Sequence, residues 1–293
     1  MKNIIKASIA SLILATSVFA LPTEGPCNSG DLQYVTNANN NNGSCYTTPI
    51  SYEVKLFKVL LCANPPEIIN KNIRDTIVDN SIMDLSMCDG VLFSSDNGVD
   101  FNLQQGSSAN FDNAKFPNVE DKTYRYAAIV ASNHLKIKDS KKFAQAMTGA
   151  TDSGLWCWTR NVSIQGKDMH GSWWNDDSHR LNWGAECGST PNPDVMTLIA
   201  NDNDNIVDGD ESNDNFRAIT VDNNLVVHSD STNNTKLLLA FPLDETLNLK
   251  NLTSLDLRVR ITNSSEVNMH DRNGHYSTEI FMPAPFYLTI QAR

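Results

Sequence analysis

Six carboxylates crowd the stretch Asn201–Asn215. Asp202, Asp204, Asp208, Asp210, Glu211 and Asp214 fall within thirteen positions, interleaved with asparagines. Calcium takes about six to eight hard oxygen ligands, and short Asp and Asn side chains on a turning loop supply them. Asp202, Asp204, Asp208, Asp210 and Asp214 are therefore a candidate calcium set. The spacing departs from the helix–loop–helix calcium loop. After Asp202-x-Asp204 the fifth place holds Ile206, Gly209 comes two positions late, and no flanking helices are legible. A solvated acidic loop is the plainer reading of the same residues.

All five tryptophans, Trp156, Trp158, Trp173, Trp174 and Trp183, fall within 28 residues. Between them stand Asp168, His170, Asn175, Asp176, Asp177, His179 and Arg180. Exposed aromatic faces flanked by carboxylates and amides are what a sugar-binding site uses, with rings on C–H faces and polar groups on hydroxyls. Trp173 and Trp174 are adjacent, so on an extended strand they point to opposite sides. Trp173, Trp174, Asp176, Asp177 and His179 are the candidate ligand-binding residues. The competing expectation is that the rings fill a disulfide-pinned subcore, because each aromatic buries a large area.

The same residues read less well as a metal or acid–base centre. Two histidines and paired aspartates have the right chemistry for zinc or proton transfer. Eight residues separate His170 from His179, however, no helix brings them to one face, and no H-E-x-x-H occurs. A hydrolase using Asp176, Asp177 and His179 needs all three in one pocket. The G-x-S-x-G elbow, the P-loop and the dinucleotide fingerprint are absent as well. No catalytic residue is assigned.

Six cysteines remain: Cys27, Cys45, Cys62, Cys88, Cys157 and Cys187. None forms a C-x-x-C pair, which argues against structural zinc. Sequential pairing, Cys27–Cys45, Cys62–Cys88 and Cys157–Cys187, brackets three polar, turn-rich segments, and is the expected connectivity in an oxidising compartment.

The compartment follows from the first twenty residues. Lys2 and Lys6 precede an apolar run from Ala7 to Phe19, and Val18 and Ala20 are small enough for signal-peptidase cleavage. The run is too short to span a bilayer as a helix. Cleavage after Ala20 predicts a mature chain of 273 residues from the original 293, secreted, periplasmic or at the cell surface. Losing Lys2 and Lys6 moves the formal net charge from -11 to -13. That excess disfavours nucleic acid and anionic lipid as partners. No membrane span is expected after cleavage.

The elements that must position these groups read as strands. Residues 21–45 hold Pro22, Pro26 and the run Asn39–Asn42 before Gly43, and predict an irregular arm. From Tyr52 to Cys62 apolar and charged residues alternate, with Tyr52, Val54 and Leu56 on one face and Glu53 and Lys55 on the other. Asn97-Gly98 between Val91–Ser95 and Val99–Leu103 predicts a hairpin. Further strands are expected at Tyr124–Ile137, Leu155–Ile164, Leu237–Pro242, Leu255–Thr262 and Phe286–Ala292, with a second hairpin around Asp222-Asn223. Helical periodicity is weak and confined to Pro66–Asp79 and Lys141–Met147.

Short strands, Asn/Asp/Gly turns and scarce helix predict an antiparallel β-sandwich, of immunoglobulin-like or jelly-roll type, with long disulfide-pinned loops. One domain over residues 46–293 is expected, with a loop insertion at about 165–215 and an alternative split near 190. The pattern resembles exported β-sandwich proteins at the level of fold class, which does not fix function. The expected role is a non-enzymatic structural or surface-associated protein: adhesive, surface-layer or fibre-associated. Its arm or the strand Phe286–Ala292 would pair with a neighbour's sheet edge, in itself or another surface protein. The alternative is a carbohydrate-binding module on the tryptophan-rich loop, with calcium and glycans as ligands. Asn42-Gly-Ser44, Asn161-Val-Ser163, Asn233-Asn-Thr235, Asn251-Leu-Thr253 and Asn263-Ser-Ser265 also match the N-glycosylation pattern.

Overall fold

A computed structural model describes residues 42–69, 81–104, 122–165, 183–200, 207–208, 217–228, 233–248, 255–272, 275–283 and 287–292. Among them there is no α-helix; the chain is mainly β and forms several sheets. The first strands are β1 (Asn42–Thr47), β2 (Ser51–Cys62), β3 (Glu67–Ile69), β4 (Ser81–Asp84) and β5 (Gly90–Gln104). Next come β6 (Thr123–Ser132), β7 (His134–Lys138), β8 (Ser140–Thr148), β9 (Ser153–Thr159) and β10 (Ser163–Gln165). Then follow β11 (Ala185–Gly188), β12 (Met196–Ile199), β13 (Val207–Asp208), β14 (Arg217–Val221) and β15 (Val226–Val227). The last are β16 (Lys236–Asn248), β17 (Leu255–Arg260), β18 (Ser265–Arg272), β19 (His275–Pro283) and β20 (Tyr287–Ala292).

The largest sheet is organised around β2 and β6. Tyr52, Val54 and Leu56 are buried, as their alternation requires. A register shift at Phe57 then moves the inward set to Val59 and Leu61, all five in one core cluster. A bulge changes phase in this way by inserting one residue. Ala127, Ala128, Ile129, Val130 and Ala131 of β6 are all at most 1% exposed. Alternate residues feed clusters on opposite faces, Ile129 with Tyr52 and Val59, Val130 with Ile219 and Leu238. A continuous apolar run is what a strand covered on both faces needs.

Strands β6 and β7 form one row along β2, interrupted at Asn133. On the other edge of that row β16 pairs β6 and β12 pairs β7. Asn133 occupies the fork. Its N–H donates to Thr235 O at 3.2 Å, and its carbonyl accepts from Ala200 N at 2.8 Å. Its buried side-chain amide donates to Ala200 O at 3.1 Å and Asn234 O at 2.8 Å. One side chain thus closes the gap between the end of β12 and the start of β16.

A six-stranded sheet has the order β1-β18-β19-β8-β9-β11. Ile280 of β19 packs with Ile137, Ile164, Met196 and Leu198 of the larger sheet, so the two sheets share a core. Strands β15, β4 and β3 make a small third sheet, and β17 pairs β20.

Several expectations change. Lys141–Met147 is strand β8, not helix. Phe143 and Met147 are both buried, and a spacing of four places side chains on one face of a strand as well as of a helix. The hairpin at Asn97-Gly98 is instead a bulge within β5, which pairs β2 on both sides of it: Leu56 faces Val99 while Lys58 faces Ser94. Gly98 still adopts φ +70°, and a Cβ there would lie 2.7 Å from Lys55 Cγ. At Asp222-Asn223 the chain does turn, but β15 leaves to pair β4 rather than β14. Residues 42–45, read as the end of an irregular arm, belong to β1, paired with β18. Within the expected loop insertion, β11 and β12 extend both main sheets. Of the weak periodicity at Pro66–Asp79, Glu67–Ile69 is strand and 70–79 lies outside the described residues.

Two of the expected disulfides are present, Cys62–Cys88 and Cys157–Cys187. Cys45 is also disulfide-bonded, and its expected partner Cys27 lies outside the described residues. Cys157 and Cys187 face each other directly across β9 and β11, within a cluster that includes Cys45, Met147, Met269 and Phe281. Their 30-residue separation gives the bond a long loop to constrain. Replacing both by serine is expected to lower stability by roughly 2–4 kcal/mol. Guanidinium unfolding measures it; an unchanged midpoint would contradict the clamp.

Candidate functional site

Where the sheets exchange strands, four connections meet. Among the passages between the two main sheets, those from β1 to β2, β7 to β8, β9 to β10 and β11 to β12 come together here. Asp139, 1% exposed, is the single residue linking β7 to β8. Its carboxylate accepts from the Thr47 hydroxyl at the end of β1 and from Ser140 N at 2.8 Å. Its backbone N–H donates to Thr159 Oγ1 at 3.0 Å, and its carbonyl accepts from Thr159 N at 3.0 Å. Thr159 in turn donates from Oγ1 to Asp194 O at 2.5 Å and accepts from Asp194 N at 2.9 Å, in the connection from β11 to β12.

Burial pushes the Asp139 carboxyl up to about 6, against the pull of the Thr47 and Ser265 hydroxyls, the Ser140 amide and the Lys141 charge. Ser265 pairs with Thr47 across β1 and β18, and acts on the carboxyl without closing an ordinary hydrogen bond. The group is a structural tie, since its partners Thr47, Ser140, Thr159 and Ser265 all stand at strand ends.

A second constellation lies on the other face of the smaller main sheet. Cys157 is buried, so its neighbours Trp156 and Trp158 point away from it. Both are half-buried. Across the ladder Trp156 meets Lys142 on β8 and Gly188 on β11, while Trp158 meets Ser140 and Glu186. Lys142 Nζ stands over the Trp156 ring, 5.9 Å from its centroid, within cation–π reach. The Trp158 ring lies across β11: a Cβ on Gly188 would come 2.9 Å from Cη2. Only a residue without a side chain leaves that space.

Glu186 anchors the rim. Its carboxylate accepts from Thr151 N at 3.1 and 3.2 Å, Thr151 Oγ1 at 2.6 Å, Asp152 N at 3.0 Å and Cys187 N at 3.1 Å. Desolvation raises its pKa, but the Thr151, Asp152 and Cys187 donors outweigh this and leave it below the ordinary value. Arg160 Nε stands 4.0 Å away, and Arg160 Nη1 donates to Trp183 O at 2.9 Å. Trp183 itself is core, 2% exposed.

Other titratable groups serve turns. Desolvation raises Asp222, yet the Val226 amide, His228 and the Asn224 amide together hold it below the usual carboxylate range. Its Oδ1 accepts from Asn224 N at 2.7 Å and Val226 N at 2.9 Å. Among the described residues no three His, Cys, Asp or Glu side chains gather closely enough to hold a metal ion.

Trp173, Trp174, Asp176, Asp177 and His179 lie outside the described residues, as do Asp202, Asp204, Asp210 and Asp214. Asp208 sits in β13, paired with Arg217 of β14. Neither Asp139 nor the shared face of Trp156 and Trp158 was singled out from the sequence, and Trp173 and Trp174 lie outside the described residues. The signal for the shared face was present: two tryptophans flanking a buried cysteine at period two must share the opposite face.

Asp139 generates a pH prediction. A carboxyl raised from 3.8 to about 6 stabilises the fold fully below the unfolded value and loses that contribution as pH rises through about 6. Lowering pH from 7 to 5 should therefore gain about 1 kcal/mol, before Glu186 and Asp222, whose values are depressed, begin to protonate at lower pH. D139N should flatten this slope, its amide oxygen still accepting from Ser140 N. D139A should cost about 1–3 kcal/mol by leaving the part-buried donors Thr47 Oγ1 and Ser140 N without their acceptor. Denaturation midpoints across pH check all three; a slope unchanged in D139N would assign it elsewhere.

No protein-family model, curated protein or solved structure matches this chain.

Proposed function

We propose that this chain is an exported β-sandwich serving at the cell surface or outside the cell as a structural protein of adhesive, surface-layer or fibre-associated type. The observation that carries the proposal is the state of the cysteines. All five in the described residues are disulfide-bonded, and they sit in the core rather than at a reactive surface. Disulfides persist in oxidising compartments, which agrees with the export signal read at Lys2–Ala20. The sandwich assignment draws on the meeting of four inter-sheet connections at Asp139 and Thr159, since strands that switch sheets build the corners of orthogonally packed sandwiches.

A scaffold of this kind acts by what it presents. Calcium on Asp202, Asp204, Asp208, Asp210 and Asp214, strand-edge pairing with itself or another surface protein, and glycans are the proposed ligands and partners. The half-buried tryptophan pair favours glycans among them.

Expression with its own leader, followed by fractionation and N-terminal sequencing, tests the proposal. The expected product begins at Leu21, lies outside the cytoplasm and carries no free thiol. Unprocessed cytosolic protein with six reduced cysteines would overturn it.

A further inference from the structure

We infer that the outer face of β9, built on Trp156 and Trp158, binds a neutral, β-linked polysaccharide chain. The inference rests on the surface-borne reading above and names the chemical class of its partner.

Four observations converge. First, the rings are placed by the ladder and not by collapse into the core: Cys157 between them takes the buried side, pinned to Cys187 opposite. Second, the Trp158 ring lies across the neighbouring strand because Gly188 leaves room for it. A ring laid along a sheet presents one broad face outward, the shape that stacks on the C–H face of a pyranose. The negative ring face attracts those weakly positive hydrogens as it attracts cations.

Third, polar groups flank the rings on the same face. Glu186 and Ser140 lie opposite Trp158, Lys142 opposite Trp156, and Arg160 two positions beyond Trp158 along the chain. The Glu186 carboxylate is held by four donor groups, so it fixes the rim in place and leaves hydrogen bonding to an arriving hydroxyl to Lys142 and Ser140. Such convergence of a few oriented polar groups on an aromatic floor marks small-ligand and saccharide sites. Fourth, two cations and one carboxylate surround the rings, a mixed rim that suits an uncharged ligand better than a polyanion. Trp156 and Trp158 stand two positions apart along the one strand β9, which fits the extended ribbon of an equatorially linked glycan.

Lys142 is the adjustable part. Its ammonium now rests over Trp156, and an arriving sugar ring would take that place while the side chain swings to a hydroxyl.

The mature, disulfide-bonded protein is tested by affinity electrophoresis and pull-down on cellulose, chitin, xylan and β-1,3-glucan, with tryptophan fluorescence as a second readout. Retention by at least one of them is expected, with a fluorescence change on adding its soluble oligosaccharide. W158A should weaken that binding at least about tenfold. G188A, which displaces the ring without removing it, should weaken it by a smaller factor. L155A, on the opposite face of the same strand, should bind as the parent does. Circular dichroism and thermal melts establish that each variant folds. Retention by none of the four, retention only by an anionic polymer such as alginate, or unimpaired binding by folded W158A overturns the inference. Those results leave the surface reading standing when processing and location are as expected; cytosolic, unprocessed protein removes that reading instead.

Discussion

One buried carboxyl ties together strand ends where the chain passes between the two main sheets. Asp139 is the entire connection between β7 and β8, and it is bonded to the connections on either side of it. A chain that passes repeatedly between two sheets must leave backbone groups unpaired wherever the ladder stops. Those groups cannot be left dry, because each buried orphan costs about 1–3 kcal/mol. The Asp139 and Thr159 pair resolves several at once. Thr159 bonds Asp139 through backbone and hydroxyl, and Asp194 through both as well. Replacing this arrangement by apolar side chains would leave the amides of Ser140 and Asp139 without acceptors, which is why a costly group sits here.

Asn133 solves the same problem in plane. The row β6–β7 outlasts its neighbours, so β12 and β16 meet beside it end to end. A side-chain amide, donating twice, bridges the carbonyls that neither strand can satisfy. The two polar residues bracket β7, one at each end, and so fix where that strand stops. This five-residue strand thus links the row of the larger sheet to the start of β8 in the smaller one.

How much of this was legible in the sequence depends on the kind of signal. Tyr52, Val54 and Leu56 announce their face through alternation, and Ala127–Ala131 announce burial on both faces through continuous apolarity. The cysteine pairs Cys62–Cys88 and Cys157–Cys187 follow from compartment and spacing. Asp139 announces nothing. Set among Lys136, Lys138, Lys141 and Lys142, it reads as one more solvated charge, and only the convergence of distant connections makes it core. Phe143 and Met147 mislead because a spacing of four satisfies strand and helix alike. Asn97-Gly98 misleads because a positive φ serves a bulge as well as a turn, and the choice is made by β2, which continues past it. Strands β11 and β12 hide in polar, turn-rich text because four residues carry too little pattern to count.

The aromatic face follows from the same constraints. Pinning Cys157 to Cys187 fixes β9 against β11, and with them the side on which Trp156 and Trp158 must emerge. Glu186, one residue before Cys187, is held to the β8–β9 turn through Thr151 and Asp152, so the rim is fastened to the disulfide from both directions. Gly149 belongs to this fastening, since a Cβ there would lie 2.3 Å from Cys187 N. A flat surface of two rings would be disordered on a loop. On a strand clamped by a disulfide, a carboxylate and a glycine contact, ring positions are set before any ligand arrives, and little ordering entropy is left for binding to overcome.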